Sequence, residues 1–274
     1  MVPFSSYAQF RLQGASDIGK LNWWLGIKTG LSLSQVNVLE RYSVQSNTTT
    51  DNDDKIYSGR FKNLGQTTGL IFGYAFSSNL LLTFQPAYSN YKYTYKTSRT
   101  WLDYNGNIYA LNTFQNCRIG YVEFPLLLLF RLPVGRFEPY INFGGFYGKF
   151  TGGRKSIKYN ESITEAGLTQ SEDQTETLEL NKYMMRSQMG LMAGLGISYT
   201  IQYFRLGLEV SYKSGIYNIT NVKERYSDTH SISKYFEVPD DVKLNALDIT
   251  VNMFVPVDNL IHLHSSQQSR SGRK

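Results

Sequence analysis

Hydrophobic and polar residues alternate with a period of two along most of the chain, and turn-forming residues separate the alternating stretches. A period of two belongs to a β-strand with one apolar and one polar face. The pattern predicts eight strands, near residues 21–37, 65–76, 80–96, 116–132, 137–150, 185–199, 203–219 and 243–256.

The connections between these predicted strands alternate in length. Short turns fall at 77–79, 133–136 and 200–202. Long polar segments, rich in Asp, Asn, Thr and Ser, fill 38–64, 97–115, 151–184 and 220–242. Outer-membrane β-barrels have short periplasmic turns and long external loops. We therefore predict an all-β fold, an eight-stranded antiparallel transmembrane β-barrel of the bacterial outer membrane with four long extracellular loops.

The segment YVEFPLLLLFR at 121–131 is more apolar than an ordinary surface strand, yet it is too short for a transmembrane helix, which needs about 20 residues. If Glu123 faces the lumen, one face of the segment contacts lipid, while Leu127 and Leu129 help to fill the lumen. Pro125 removes a hydrogen-bond donor from the strand, so we expect a bulge or bend there.

Charged residues in the predicted strands fall on the polar face. The set that we expect to point into the lumen comprises Lys28, Glu123, Arg131, Arg186, Arg205, Glu209 and Asp248. These charges can form a structural salt-bridge plug, because buried charges need partners, or they can line a gated polar path or proton-linked site. An eight-stranded barrel is just wide enough for its own side chains, which favours the plug.

Composition narrows the classes of function. Only 18% of residues are charged, whereas 21 Tyr and 16 Phe are present, as suits strands. The single Cys117 excludes an internal disulfide. The net charge of +6 is spread among nearly equal acids, and part of it comes from Arg270, Arg273 and Lys274 in a polar tail. This distribution does not predict nucleic-acid binding.

No catalytic or cofactor motif is evident, since the chain has no GxSxG, HExxH or P-loop sequence. The histidines lie outside the predicted strands. Candidate metal ligands are His262 and His264 in the tail and an acidic group in the first long loop, Asp51, Asp53 and Asp54; ordinary solvated side chains are the alternative. We expect a non-enzymatic protein without a cofactor or metal.

The termini divide the chain into three predicted parts. SSYAQ near the start has the small-residue character of the end of a secretory signal, although an ordinary terminus is the alternative. We assign 1–20 to a signal-peptide remnant and N-terminal periplasmic segment, 21–257 to the barrel, and 258–274 to a polar C-terminal tail.

Four strand motifs carry a family resemblance. YVEFPLLLLFRLP, RFEPYINFGGFYG, GLMAGLGISY and FRLGLEVSYKSGIYNI follow one another in an order and spacing that resemble the PorT-type outer-membrane β-barrel family of the Bacteroidetes, over about residues 20–256. The resemblance implies an eight-stranded barrel that is exported with a cleaved signal peptide, and a role like that of type IX secretion components. The chain departs from the family in its long external loops and in the extension after the last strand.

These observations predict an integral outer-membrane protein that is either an accessory or structural subunit of a secretion or assembly complex, or a surface-interaction protein. A narrow diffusion pore is the alternative, and a soluble lipocalin-like carrier is the third hypothesis. The expected partners are outer-membrane lipid, lipopolysaccharide, and other outer-membrane or periplasmic proteins.

Overall fold

The structure is a computed structural model that describes residues 23–43, 55–132, 134–165, 167–201 and 204–257. The predicted N-terminal segment, 1–20, and the predicted tail, 258–274, lie outside these ranges. Within them, no helix is both long and apolar enough to cross a bilayer.

The described residues form eleven strands and little helix. The strands are β1 (Trp23–Glu40), β2 (Ile56–Tyr57), β3 (Asn63–Ala75), β4 (Leu80–Phe84), β5 (Ala87–Leu102), β6 (Ile108–Arg131), β7 (Phe137–Glu165), β8 (Leu168–Glu179), β9 (Ser187–Ile201), β10 (Phe204–Gly215) and β11 (Asp241–Pro256). A 3₁₀ turn, Val222–Glu224, and a short helix, α1 (Thr229–Tyr235), lie between β10 and β11.

Antiparallel pairing closes the strands into a ring. β1 pairs with β3, which pairs with β4 and β5; these two strands share one position and both pair with β6. The ring continues through β7, β9, β10 and β11, and β11 returns to β1. The ring therefore has eight positions, and the predicted all-β, antiparallel barrel is confirmed. Closure satisfies the backbone hydrogen bonds that lipid cannot satisfy.

Side chains alternate between the lipid face and the lumen, as the sequence pattern predicts. Leu208 and Val251 lie opposite each other on β10 and β11 and are 51% and 54% exposed on the outer face. Glu209 and Asp248, one or three residues away along the same strands, are buried in the lumen. The apolar outer band therefore faces lipid, and the polar residues fill the interior.

The irregularity expected at Pro125 lies instead in the neighbouring strand. β6 continues through Pro125, and its register with β7 shifts between Gly120 and Tyr121. β4 and β5 are separated at Gln85 and Pro86, and the Gln85 amide donates to the Pro125 carbonyl at 2.9 Å. In a hydrogen-bonded pair of an antiparallel ladder, each residue donates its N–H to the carbonyl of the other. Pro125 has no N–H and cannot donate the second of these two bonds. The missing donor thus falls at the break between β4 and β5.

Much of the predicted loop structure is strand. The segment 151–184 contains the outer part of β7 and all of β8, which pair along their length from Arg154–Glu179 to Glu165–Leu168. β5 and β6 likewise extend to the turn at 103–107. We call residues 91–102 of β5, 108–120 of β6, 151–165 of β7 and all of β8 the extracellular sheet.

The segment that joins β10 to β11, residues 216–240, folds over the extracellular mouth and is called the cap. Ile219, Tyr235 and Val238 are each only 1% exposed. The Tyr235 ring lies 5.2 Å from the ring of Tyr159 on β7, measured between centroids. α1 begins after Asp228, whose side chain accepts a hydrogen bond from the Ser231 amide. The cap thus replaces the open loop predicted at 220–242.

Candidate functional site

The centre of the lumen holds a charged cluster around Lys213 of β10. The Lys213 Nζ atom lies 2.5 Å from Glu123 of β6 and 2.8 Å from Asp248 of β11. The Tyr91 hydroxyl donates to Glu123 at 2.6 Å and accepts from Lys213 at 3.1 Å. All four side chains are buried. One lysine therefore joins β5, β6, β10 and β11 through the barrel interior.

Glu123 receives further hydrogen bonds from two neutral side chains. Ser89 donates to it at 2.9 Å, and Gln188 of β9 donates at 3.2 Å. Hydrogen bonds to a charged carboxylate are stronger than those between neutral groups. Five of the eight ring positions are thus tied to this cluster.

A second polar layer contains Glu209 and Lys28. Glu209 accepts from the Tyr140 hydroxyl at 3.0 Å and from the Asn252 amide at 3.5 Å. Lys28 donates to Gln85 at 2.9 Å. Among the described residues, neither Glu209 nor Lys28 forms a direct ion pair, so neutral partners hold both charges.

A third layer lies near the periplasmic turns. Glu138 of β7 is 2.8 Å from Arg205 and 3.5 Å from Arg131. Both guanidinium groups lie over the Trp24 ring, at 4.2 Å for Arg205 and 5.4 Å for Arg131. These side chains occupy the lumen near its periplasmic end.

Six of the seven charged residues expected in the lumen lie in these layers, but the prediction for Arg186 is wrong. Arg186 is exposed and precedes β9, which begins at Ser187. Gln188, two residues later, points into the lumen, so alternation alone predicts the same direction for Arg186. Because Arg186 lies before the first residue of β9, the alternation of the strand does not determine where its side chain points. The two residues that join the predicted charges, Lys213 and Glu138, were not predicted. Continued alternation from Ser211 and Tyr140 would have found both.

A fourth charged cluster fastens the cap to the barrel mouth. Lys55 lies 2.7 Å from Asp240 and 3.9 Å from Glu237, and Lys155 of β7 also lies 3.9 Å from Glu237. The Tyr95 hydroxyl donates to Glu237 at 2.8 Å. Burial alone would raise the pKa of Glu237, but the two lysines and its hydrogen bonds lower it below the usual range. The charged residues of this cluster escaped prediction because the sequence pattern assigns 38–64, 151–184 and 220–242 to loops.

Glycines on β9 make room for large inward side chains of β7. A Cβ atom at Gly196 would lie 2.4 Å from the Tyr140 ring, and one at Gly190 would lie 2.5 Å from the Phe146 ring. Met192, between them, is buried. The lumen is therefore packed with side chains between its charged layers, and the cavity beneath the cap measures only about 50 Å³.

The described residues offer no metal centre. No group of three or more His, Cys, Asp and Glu side chains within them could hold an ion. His230, on α1, lies 3.7 Å from Glu176 and is exposed. The candidate ligands at 51–54 and 262–264 lie outside the described ranges. In the lumen, Lys213 and the two arginines of the third layer pair with carboxylates, and neutral side chains bind the remaining charges. This arrangement is typical of a structural network.

Several solved structures match the chain at low sequence identity and low TM-score, whereas no curated protein matches. Neisserial surface protein A of Neisseria is 12% identical with a TM-score of 0.34, and the match covers 86% of this chain and 97% of that one. Ail of Yersinia pestis is 13% identical with a TM-score of 0.31, and the match covers 85% and 99%. These similarities concern the fold alone.

A match to a family model assigns the chain to a protein family. The model described as outer membrane protein beta-barrel domain matches residues 7–221, which is most of the chain. The closed antiparallel ring and its apolar outer band agree with that description. The chain therefore belongs to the outer membrane protein beta-barrel domain family and is an integral protein of the bacterial outer membrane.

Proposed function

We propose that the protein is a non-enzymatic, non-conducting barrel that binds another protein through its extracellular sheet. The observation that carries the proposal is the length of this sheet. β7 has 29 residues, whereas a membrane-spanning strand needs about 9–11, so more than half of β7 lies beyond the membrane. A barrel with a packed lumen needs no such extension to remain in the bilayer, which favours a role outside it.

The outer edge of the sheet suits the addition of a further strand. Among the described residues, β8 pairs only with β7, and its residues 168–175 are exposed on both faces. An open strand edge can bind an extended peptide through backbone hydrogen bonds. β8 carries four acids and no lysine or arginine: Glu172, Asp173, Glu176 and Glu179. The partner that fits is therefore an extended segment with basic side chains, because a second copy of β8 would place acids opposite acids.

This role is compatible with both forms of the sequence-based hypothesis. The motifs that resemble the PorT-type family support an accessory subunit of a secretion or assembly complex, and the exposed sheet supports binding at the cell surface. The packed lumen argues against the diffusion pore. The soluble carrier does not agree with the apolar outer band.

Photo-crosslinking in intact cells tests the proposal. A crosslinking amino acid at Ser171 on β8 should give discrete adducts, whereas the same group at Tyr104, on the exposed turn between β5 and β6, should not. Charge reversal beside the first site, with Glu172→Lys and Asp173→Lys, should suppress the adducts. Equal adducts at both sites, or adducts that survive the charge reversal, would contradict binding at the edge of β8.

A further inference from the structure

Three cations stand side by side on the outer face of the extracellular sheet. Lys92 of β5 lies opposite Arg118 of β6, and Arg118 lies opposite Arg154 of β7. We call these three residues the cationic row. Their side chains point outward, since the residues on either side of Arg118, Cys117 and Ile119, are buried. Like charges directly opposite each other destabilise a sheet, so an anion bound across the row would relieve their repulsion.

Protein acids do not supply enough of that negative charge. The same face carries three further cations, Lys96, Lys149 and Lys158. Its acids are Asp173 and Glu179, both on β8. Glu179 lies opposite Arg154 at the end of the row, but its carboxylate accepts from Asn181 at 3.1 Å. Within the ranges that the structure describes, no member of the row forms an ion pair.

The row lies just beyond the apolar band that contacts lipid. On β6 the outward residues from Val122 to Phe130 are apolar, and Arg118 lies four residues before Val122, on the extracellular side. Four residues of strand span ~13 Å, or somewhat less in height for a tilted strand. Below the row, the rings of Phe84, Phe124 and Tyr147 stack along the outer face of three neighbouring positions. The tilt leaves ~10 Å in height, and the long side chains of the row can reach back to the headgroup layer, which adds about 5–8 Å to each side of the hydrocarbon.

We propose that the cationic row binds phosphate groups on the headgroups of outer-leaflet glycolipid. Neighbouring strands are ~4.8 Å apart, so the three positions span ~10 Å and several basic side chains can contact a headgroup together. Arginine and lysine are the side chains that bind phosphate. The bound lipid neutralises the row that the protein leaves uncompensated. This site is separate from the free edge of β8, because it lies on the outer face of β5, β6 and β7.

Lipid binding to the full chain in neutral detergent micelles tests the proposal. The probe is diphosphoryl lipid A, and native mass spectrometry counts the bound molecules. The row variant is Lys92→Gln, Arg118→Gln, Arg154→Gln. The control variant, Lys62→Gln, Lys182→Gln, Lys223→Gln, loses the same charge from exposed positions on the extracellular side. Each cation near an anionic lipid surface changes affinity roughly fivefold, so the row variant should bind about a hundredfold more weakly.

The control variant should bind like the wild type, and neither dephosphorylated lipid A nor inorganic phosphate should replace the probe. In micelles without lipid A the row variant should unfold at a temperature no lower than the wild type, because repulsion is removed. If the triple variant does not fold, Arg118→Gln alone should weaken binding about fivefold. Equal binding by the row and control variants would overturn the proposal, and equal binding of inorganic phosphate would overturn the assignment to lipid.

Discussion

Lys213→Met is the substitution that should disturb the lumen most. Lys213 is 2% exposed and forms ion pairs with both Glu123 and Asp248. Methionine keeps a similar length of side chain but has no charge and no donor. The variant would therefore leave two buried carboxylates without the lysine that joins them.

The magnitude follows from opposing contributions. Two charges ~4 Å apart attract by ~4 kcal/mol at an effective dielectric constant of about 20. Lys213 has two partners at shorter distances, 2.5 and 2.8 Å. Removing the lysine also removes its own desolvation cost, which is several kcal/mol. Loss of one member of a buried pair typically costs ~3–5 kcal/mol, and we expect Lys213→Met to lower the free energy of unfolding by that amount.

Urea unfolding of the refolded protein in lipid vesicles, followed by tryptophan fluorescence, measures this change. Lys182→Met, at an exposed position, is the matched control. Neutralising the whole set, with Lys213→Met, Glu123→Gln and Asp248→Asn, should recover much of the loss, because no uncompensated charge remains. If Lys213→Met costs no more than Lys182→Met, the ion-pair network does not stabilise the barrel.

Three further predictions address the lipid face, the packing and the cap. Leu208→Arg should destabilise the barrel by ~2–4 kcal/mol if it lies near the bilayer midplane, whereas Thr169→Arg on the exposed β8 should have little effect. Equal costs would mean that the assignment of Leu208 to the lipid face is wrong. Gly196→Ala should lower the free energy of unfolding in urea by ~1–3 kcal/mol, because the new Cβ would lie 2.4 Å from the buried Tyr140 ring. The control Gly145→Ala, whose new Cβ would have its nearest contact at 3.5 Å, should be nearly neutral. A neutral Gly196→Ala would refute this packing. The lowered pKa of Glu237 contributes stability that is present above the unfolded value of about 4.3 and is lost as the pH falls through the folded value. Protection of the cap amides against hydrogen exchange should therefore fall on acidification below the unfolded value; Glu237→Gln should abolish this acid-dependent step, and its persistence would exclude Glu237 as the cause.

The membrane-spanning part of the fold was predictable because two solvents act on alternate residues of each strand. Apolar residues such as Leu208 and Val251 face lipid, and charged residues such as Glu209 and Asp248 face the lumen. This contrast allows the number of membrane-spanning strands and the direction of their side chains to be predicted from one sequence. Beyond the membrane the contrast weakens, because water replaces lipid on the outer face of the sheet. β8 is polar and exposed on both faces, so its residues were assigned to a loop.

The charged clusters could be predicted as a set but not as pairs. Alternation gives the direction of each side chain, whereas pairing depends on height along the barrel axis, which the tilt and stagger of the strands determine. Lys213 and Asp248 lie on adjacent strands, but Glu123 reaches Lys213 across the lumen from β6. The charged residues of the cluster that holds the cap come from three segments predicted as loops, 38–64, 151–184 and 220–242, and no local pattern joins them.

Single-channel recording in planar bilayers tests the central claim, a lumen that side chains close, most directly. Refolded wild-type protein should show no discrete conductance steps, and Glu209→Gln should lower the unfolding midpoint while the conductance stays near zero. Stable conductance steps in the wild type, with a cation preference that Glu209→Gln changes while the unfolding midpoint stays the same, would contradict the closed lumen and identify the protein as a pore.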